Sequence, residues 1–184
     1  MKKLGIILLA LFMLVGCSNN KQESKKVDGK IAVVYFSATH NTEKIAEMIG
    51  EITGGKVIEI IPEKEYSEED LEYTNDSCRA NLEMEDVSCR PGISNSIELD
   101  EYDTIYLGYP IWWGKEPRII LTLLDQYDLT DKNIILFCTS ASSNIEASVK
   151  DIENYQSDLN ILEGKRWSAS ASKEELEEWI STIE

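Results

Sequence analysis

From Lys30 onward the chain alternates short apolar runs with stretches in which apolar residues recur at helical spacing. That alternation restricts the fold more than any other feature. Strand patterns cover residues 31–36, 57–61, 104–108 and 134–138, with a fifth at 160–162 or near Trp167. Helix patterns cover 42–52, 68–85, 117–126, 145–155 and 173–183. Capping-box spacing marks two helix starts, Ser67 with Asp70 and Ser172 with Glu175. Gly54-Gly55 stops the first helix before the second strand. Strands separated by helices imply right-handed crossovers, and therefore a parallel sheet covered on both faces. The run Ile31-Ala32-Val33-Val34 is near-continuously apolar, as suits a central buried strand. The pattern predicts one α/β domain over residues 30–184, a three-layer, doubly wound fold on a five-stranded parallel sheet of order 2-1-3-4-5. The long connection from Pro62 to Tyr102 predicts one helix and much irregular chain.

In such a sheet, ligands bind beyond the carboxyl ends of the strands, at the switch between strands 1 and 3. Three loops leave those ends. The first, Ser37-Ala38-Thr39-His40-Asn41-Thr42, offers the donors of Ser37, Thr39, Asn41 and Thr42 beside a helix N-terminus, a combination suited to a phosphate. It holds no Lys or Arg, so it is not the Gly-Lys-Ser/Thr loop of nucleotide triphosphatases. The alternative is an ordinary polar turn capped by Asn41 or Thr42. The second loop contains Pro110-Ile111-Trp112-Trp113-Gly114. Two adjacent indoles at the mouth of a sheet are costly to leave wet, and a planar aromatic cofactor stacked on one would explain its position. Gly114 would let the backbone approach that ring closely. Adjacent residues of an extended loop point opposite ways, so one indole is expected in the core. The third loop, Thr139-Ser140-Ala141-Ser142-Ser143-Asn144, is small and polar. It either borders a flat ring or caps the fourth helix through Ser143 or Asn144.

The N-terminus reads differently. Lys2 and Lys3 precede an uncharged apolar run from Leu4 to Val15, which is short for a bilayer span. The run ends in Leu14-Val15-Gly16-Cys17, which resembles the lipobox of bacterial lipoproteins. That resemblance implies a signal peptide at 1–16, lipid on Cys17, and a mature chain of 168 residues anchored at the extracytoplasmic face of a membrane. Residues 17–29 are almost free of apolar side chains beyond Cys17, as a flexible tether requires. The formal net charge is −16, and loss of Lys2 and Lys3 takes it to −18. Acidity of that degree argues against nucleic acid as a partner and favours a basic or neutral one. Cys138 lies in the apolar run Ile134-Ile135-Leu136-Phe137-Cys138 and reads as a buried strand residue. Cys78 and Cys89 sit in one polar region, either as a disulfide or as two free thiols. Neither has metal-ligand spacing, and no metal site is expected.

Taken together, three segments resemble the flavodoxin-like proteins that bind FMN: residues 34–42, Leu107-Gly108-Tyr109 with the double-Trp loop, and Phe137-Cys138-Thr139. The resemblance covers nearly the whole domain and extends to Pro62-Glu63-Lys64-Glu65-Tyr66. It implies that Ser37, Thr39, Asn41 and Thr42 hold the FMN phosphate. Pro110, Ile111, Trp112, Trp113 and Gly114 would line the flavin ring, and Thr139, Ser140, Ala141 and Ser142 would close its other side. Two positions depart from the pattern. His40, the only histidine, stands where the family usually has Gly; it tolerates a positive φ with some strain, and it is either an exposed loop histidine or reaches the phosphate itself. Ser140-Ala141-Ser142 replaces a loop that is typically glycine-rich. The implied function is an electron carrier that meets a redox partner protein. The alternatives are an FMN-dependent quinone or NAD(P)H oxidoreductase, and a flavin-free interaction module on the same fold.

Overall fold

A computed structural model describes residues 29–183, so the leader, Cys17 and the tether lie outside the described residues. The strands β1 (Ile31–Tyr35), β2 (Lys56–Glu59), β3 (Thr104–Pro110), β4 (Asn133–Thr139) and β5 (Asn160–Trp167) form one sheet of order β2-β1-β3-β4-β5. All four pairings are parallel. The two alternatives for the fifth strand are the two ends of one element. Its middle is exposed and carries Glu163, Lys165 and Arg166, a charged pattern that protects an edge from further pairing.

Both faces of the sheet are covered, and the period of two assigns the side chains. Ala32 and Val34 face a core built with Ile119, Ile120 and Leu123 of α3 (Arg118–Gln126) and Ile152 of α4 (Glu146–Tyr155). Val33 and Tyr35 face the other core, with Ile45, Ala46 and Ile49 of α1 (Asn41–Thr53) and Leu176 and Ile180 of α5 (Lys173–Ser181). Gly108 is required where β3 passes β4, because a Cβ there would stand 2.1 Å from the Phe137 ring. Cys138 is fully buried, and burial pushes its thiol up to about 12, which leaves it inert. Among the described residues no helix is long and apolar enough to cross a membrane.

Local signals held at three helix boundaries. Gly54 ends α1 in the left-handed conformation at φ 69°, and Ser172 with Glu175 forms a complete capping box on α5. Ser67 and Asp70 exchange the same pair of bonds, yet the helix they open is a single 3₁₀ turn, Glu69–Leu71. The continuous helix expected over 68–85 is therefore broken. Only α2 (Arg79–Glu85) follows, after a turn region at 73–78 held by Asn75. Asn75, Asp76 and Ser77 favour side-chain bonds to nearby backbone over a continuing helix. Neither of the expected caps of α4 is used, because Ile145 occupies that position without a side-chain bond.

Candidate cofactor cleft

The three loops do meet at one end of the sheet. In the first, the N-cap of α1 is His40 itself, at φ 60° and with no side-chain cap, so neither Asn41 nor Thr42 caps the helix. The first N–H groups of α1 are thus left to whatever sits in front of them. Asn41 Nδ2 donates to Thr39 Oγ1 at 3.1 Å, which frees the Thr39 hydroxyl to donate outward. Thr42 is buried, and its hydroxyl pairs with that of Thr139 at 2.7 Å, tying the first loop to the end of β4. Ser37 Oγ is buried and has no hydrogen-bond partner among the described residues. A hydroxyl in that position costs free energy until a ligand meets it. The His40 imidazole turns to the Glu43 carboxylate, with Nδ1 2.6 Å from it, and stays exposed.

The second loop makes a two-residue turn. Trp112 N bonds Lys115 O at 2.9 Å and Lys115 N bonds Trp112 O at 3.0 Å. The central residues, Trp113 and Gly114, have φ 51° and 82°, which is the type I′ geometry. Gly114 is needed for that φ; a Cβ there would meet nothing within 4 Å. The two indoles separate as expected. Trp112 is packed edge-on against Phe36 and Tyr66, with centroids 5.8 and 5.2 Å away. Trp113 is 67% exposed. Its Nε1 donates to Asn81 Oδ1 at 2.7 Å.

Between these loops lies a cleft of about 370 Å³, within the range of small-molecule sites. Ala38 and Thr39 line one side, and Pro110, Ile111, Trp112 and Trp113 another. The third loop sits at the same sheet end without contributing to the lining. Ser140 Oγ instead accepts from the backbone of Ser142 and Ser143, while Arg166 Nη1 donates to Ser140 O at 2.8 Å. The remaining wall comes from Leu71, Tyr73, Ala80 and Asn81 of the long connection. These four are not among the residues to which the sequence points. One signal was available: Asn81 interrupts Ala80-Asn81-Leu82, a polar side chain amid apolar ones in a short helix.

Asn81 uses its whole amide. Nδ2 donates to Tyr73 O and Asn75 O, both at 3.0 Å, while Oδ1 receives the Trp113 indole. Behind it, Tyr66 and Arg79 both donate to Glu83, at 2.5 and 2.6 Å, and the Arg79 guanidinium lies 4.0 Å from the Tyr66 ring centroid. Burial pushes the Tyr66 hydroxyl well above its ordinary range, and the bond to Glu83 adds to the effect. Cys78 and Cys89 are free thiols, and no disulfide joins them. Cys78 is buried at the N-cap of α2, where its sulfur accepts from Asn81 N at 3.5 Å.

A family profile described as Flavodoxin matches residues 30–183. The chain belongs to the flavodoxin family. Two solved structures of candidate flavoproteins from Bacteroides are similar to this flavodoxin. The one from Bacteroides eggerthii is 36% identical with a TM-score of 0.81, over 85% of this chain and 98% of that one. The one from Bacteroides uniformis is 39% identical with a TM-score of 0.80, over 83% and 98%. A Lactobacillus acidophilus flavoprotein solved in complex with FMN is 26% identical, with a TM-score of 0.64 over 83% and 99%. A search of curated proteins gives no match.

Proposed function

We propose that this protein binds FMN in the cleft and carries electrons at the extracytoplasmic face of a membrane, tethered through lipid on Cys17. The unpartnered buried hydroxyl of Ser37 carries the reading of the cofactor, because it belongs to the loop that ends at an uncapped helix. The residues fit the group. Ser37, Thr39, Asn41 and the N-terminus of α1 would hold the phosphate, with Thr42 fixing the loop to Thr139. Pro110, Ile111, Trp112 and Trp113 supply the flat apolar wall for the ring. FMN, once bound, supplies the redox chemistry.

The chain's own part is binding and electrostatics. Its phosphate loop contains no cationic side chain, and the protein has a net charge of −16. Both features oppose added negative charge in the cleft, which separates the two one-electron steps and supports a carrier. The same charge suits docking to a partner with a basic surface.

Reconstitution with FMN tests the cofactor, with a yellow 1:1 complex and a flavin spectrum as the expected result. Redox titration is expected to give two resolved one-electron steps; one two-electron step overturns the carrier reading. Mass spectrometry of membrane-fraction protein is expected to find diacylglycerol on Cys17, lost in Cys17→Ser. An unmodified protein in the soluble fraction overturns the tether.

A further inference from the structure

Trp113 lines two hollows. One is the cofactor cleft. The other, of about 400 Å³, lies against α2 and is lined by Asp76, Asn81, Met84, Glu85 and the same indole. The indole is firmly placed. Turning the indole into either hollow would break its bond to Asn81, whose amide is otherwise committed to the carbonyls of Tyr73 and Asn75.

The chemistry of the second hollow differs from that of the first. Asp76 and Glu85 are exposed, and neither forms an ion pair or hydrogen bond with a described residue. No cationic side chain lines the space. Trp113 presents the face best suited to attract a cation, and Met84 adds a polarizable wall. Phosphate-bearing ligands, dinucleotides included, meet two uncompensated carboxylates here and are disfavoured. Neutral planar ligands gain the stacking surface but none of the charge.

We infer that this hollow is a second ligand site, built for a small planar organic cation that stacks on Trp113 between the carboxylates of Asp76 and Glu85. Its volume exceeds what a single partner side chain would fill and falls in the range of small-molecule sites. A redox-active cation seated there would lie in a hollow that shares Trp113 and Asn81 with the cleft, a suitable place for an electron acceptor. That suitability rests on the flavin reading of the cleft; the site itself does not.

The probe is the dimethyl-bipyridinium dication (methyl viologen), titrated into the full folded chain by calorimetry at low ionic strength. Saturable 1:1 binding is expected, with a charge-transfer absorption band from the stacked indole. Asp76→Asn with Glu85→Gln should weaken binding at least tenfold. Glu174→Gln with Glu177→Gln, an equal charge change on α5, should weaken it less than twofold. Trp113→Leu should abolish the band, and neutral 4,4′-bipyridine at pH 8 should bind at least tenfold more weakly than the dication. Equal weakening by the two charge pairs, a band that survives Trp113→Leu, or equal binding of the neutral ring overturns the site. FMN titration of the same proteins separates the two readings. Viologen binding without FMN binding overturns only the cofactor, and FMN binding without viologen binding overturns only the second site.

Discussion

His40 and Trp113 are the only described non-glycine residues with positive φ, and each sits in one of the two loops that build the cleft. Their supports differ. His40 is held by its own segment, through Glu43 three residues on. Trp113 is held by parts of the chain distant in sequence, beginning with Asn81 on α2. Its turn continues into Lys115, bonded to Asp151 of α4 at 2.6 Å, and buried Glu116, bonded to Ser148 at 2.5 Å. The Ser148 hydroxyl also hydrogen-bonds the Tyr109 hydroxyl at 2.9 Å. The left-handed residue of the first loop is therefore held locally, although Thr42 ties that loop to Thr139 at the end of β4. The second loop is a strained turn imposed by its surroundings, since a left-handed bulky residue costs about 1–2 kcal/mol. Strain of that kind persists only where neighbours over-determine it.

Removing the distant support should have the largest effect. Asn81→Leu strands two carbonyls and one indole N–H, and is expected to cost about 3 kcal/mol in denaturant unfolding. Trp113 should also become mobile by fluorescence anisotropy. A cost below about 1 kcal/mol would mean the turn holds its shape unaided, and the contrast with His40 would fail.

Glu116 tests the other anchor through pH. Burial pushes its carboxyl up to about 7, against the opposing bond from Ser148. The folded state therefore keeps a proton that the unfolded chain loses near 4.5. Stability from this group is full below that pH and is lost as pH rises towards 7, about 3 kcal/mol in all. Glu116→Gln should flatten the slope between those limits. An unchanged slope would show that Glu116 titrates alike in both states.

The same division, local against imposed, explains how much was legible in the sequence. The sheet order followed from the alternation of Ile31–Tyr35, Thr104–Pro110 and their fellows with helices, because period and punctuation are local signals. Thr39, Pro110 and Trp112 were legible as residues that would meet at the strand ends, where they line the cleft, because loops at strand ends of a doubly wound sheet are placed by topology. Tyr73 and Asn81 were not. They belong to a connection whose shape is set by bonds among its own turns, and by Arg118 Nη2 reaching Met84 O at 2.8 Å. The helix expected across 68–85 failed for the same reason, since capping at Ser67 starts a turn but cannot extend it.

The smaller predictions concern the local loop. Ser37→Ala removes a hydroxyl without a partner. Ligand-free stability should change by less than about 0.5 kcal/mol, while FMN affinity should fall about tenfold or more, as for a lost bond to a charged group. A stability loss of about 1 kcal/mol or more would mean the hydroxyl already has a partner.

His40→Gly sharpens the comparison most directly, although its effect is the smallest. Glycine adopts φ 60° without a Cβ penalty, and the side-chain contact with Glu43 that it gives up is exposed on the imidazole side. The extra freedom of glycine in the unfolded chain offsets part of that gain, so a rise of about 0.5 kcal/mol is expected. Trp113→Gly relieves the same kind of strain but gives up the bond to Asn81, and should lower stability. Opposite signs for the two glycine variants follow only if the left-handed turn at Trp113 is held by the bond to α2 and that at His40 is not. If both variants gain stability, Asn81 is not what keeps the indole in place.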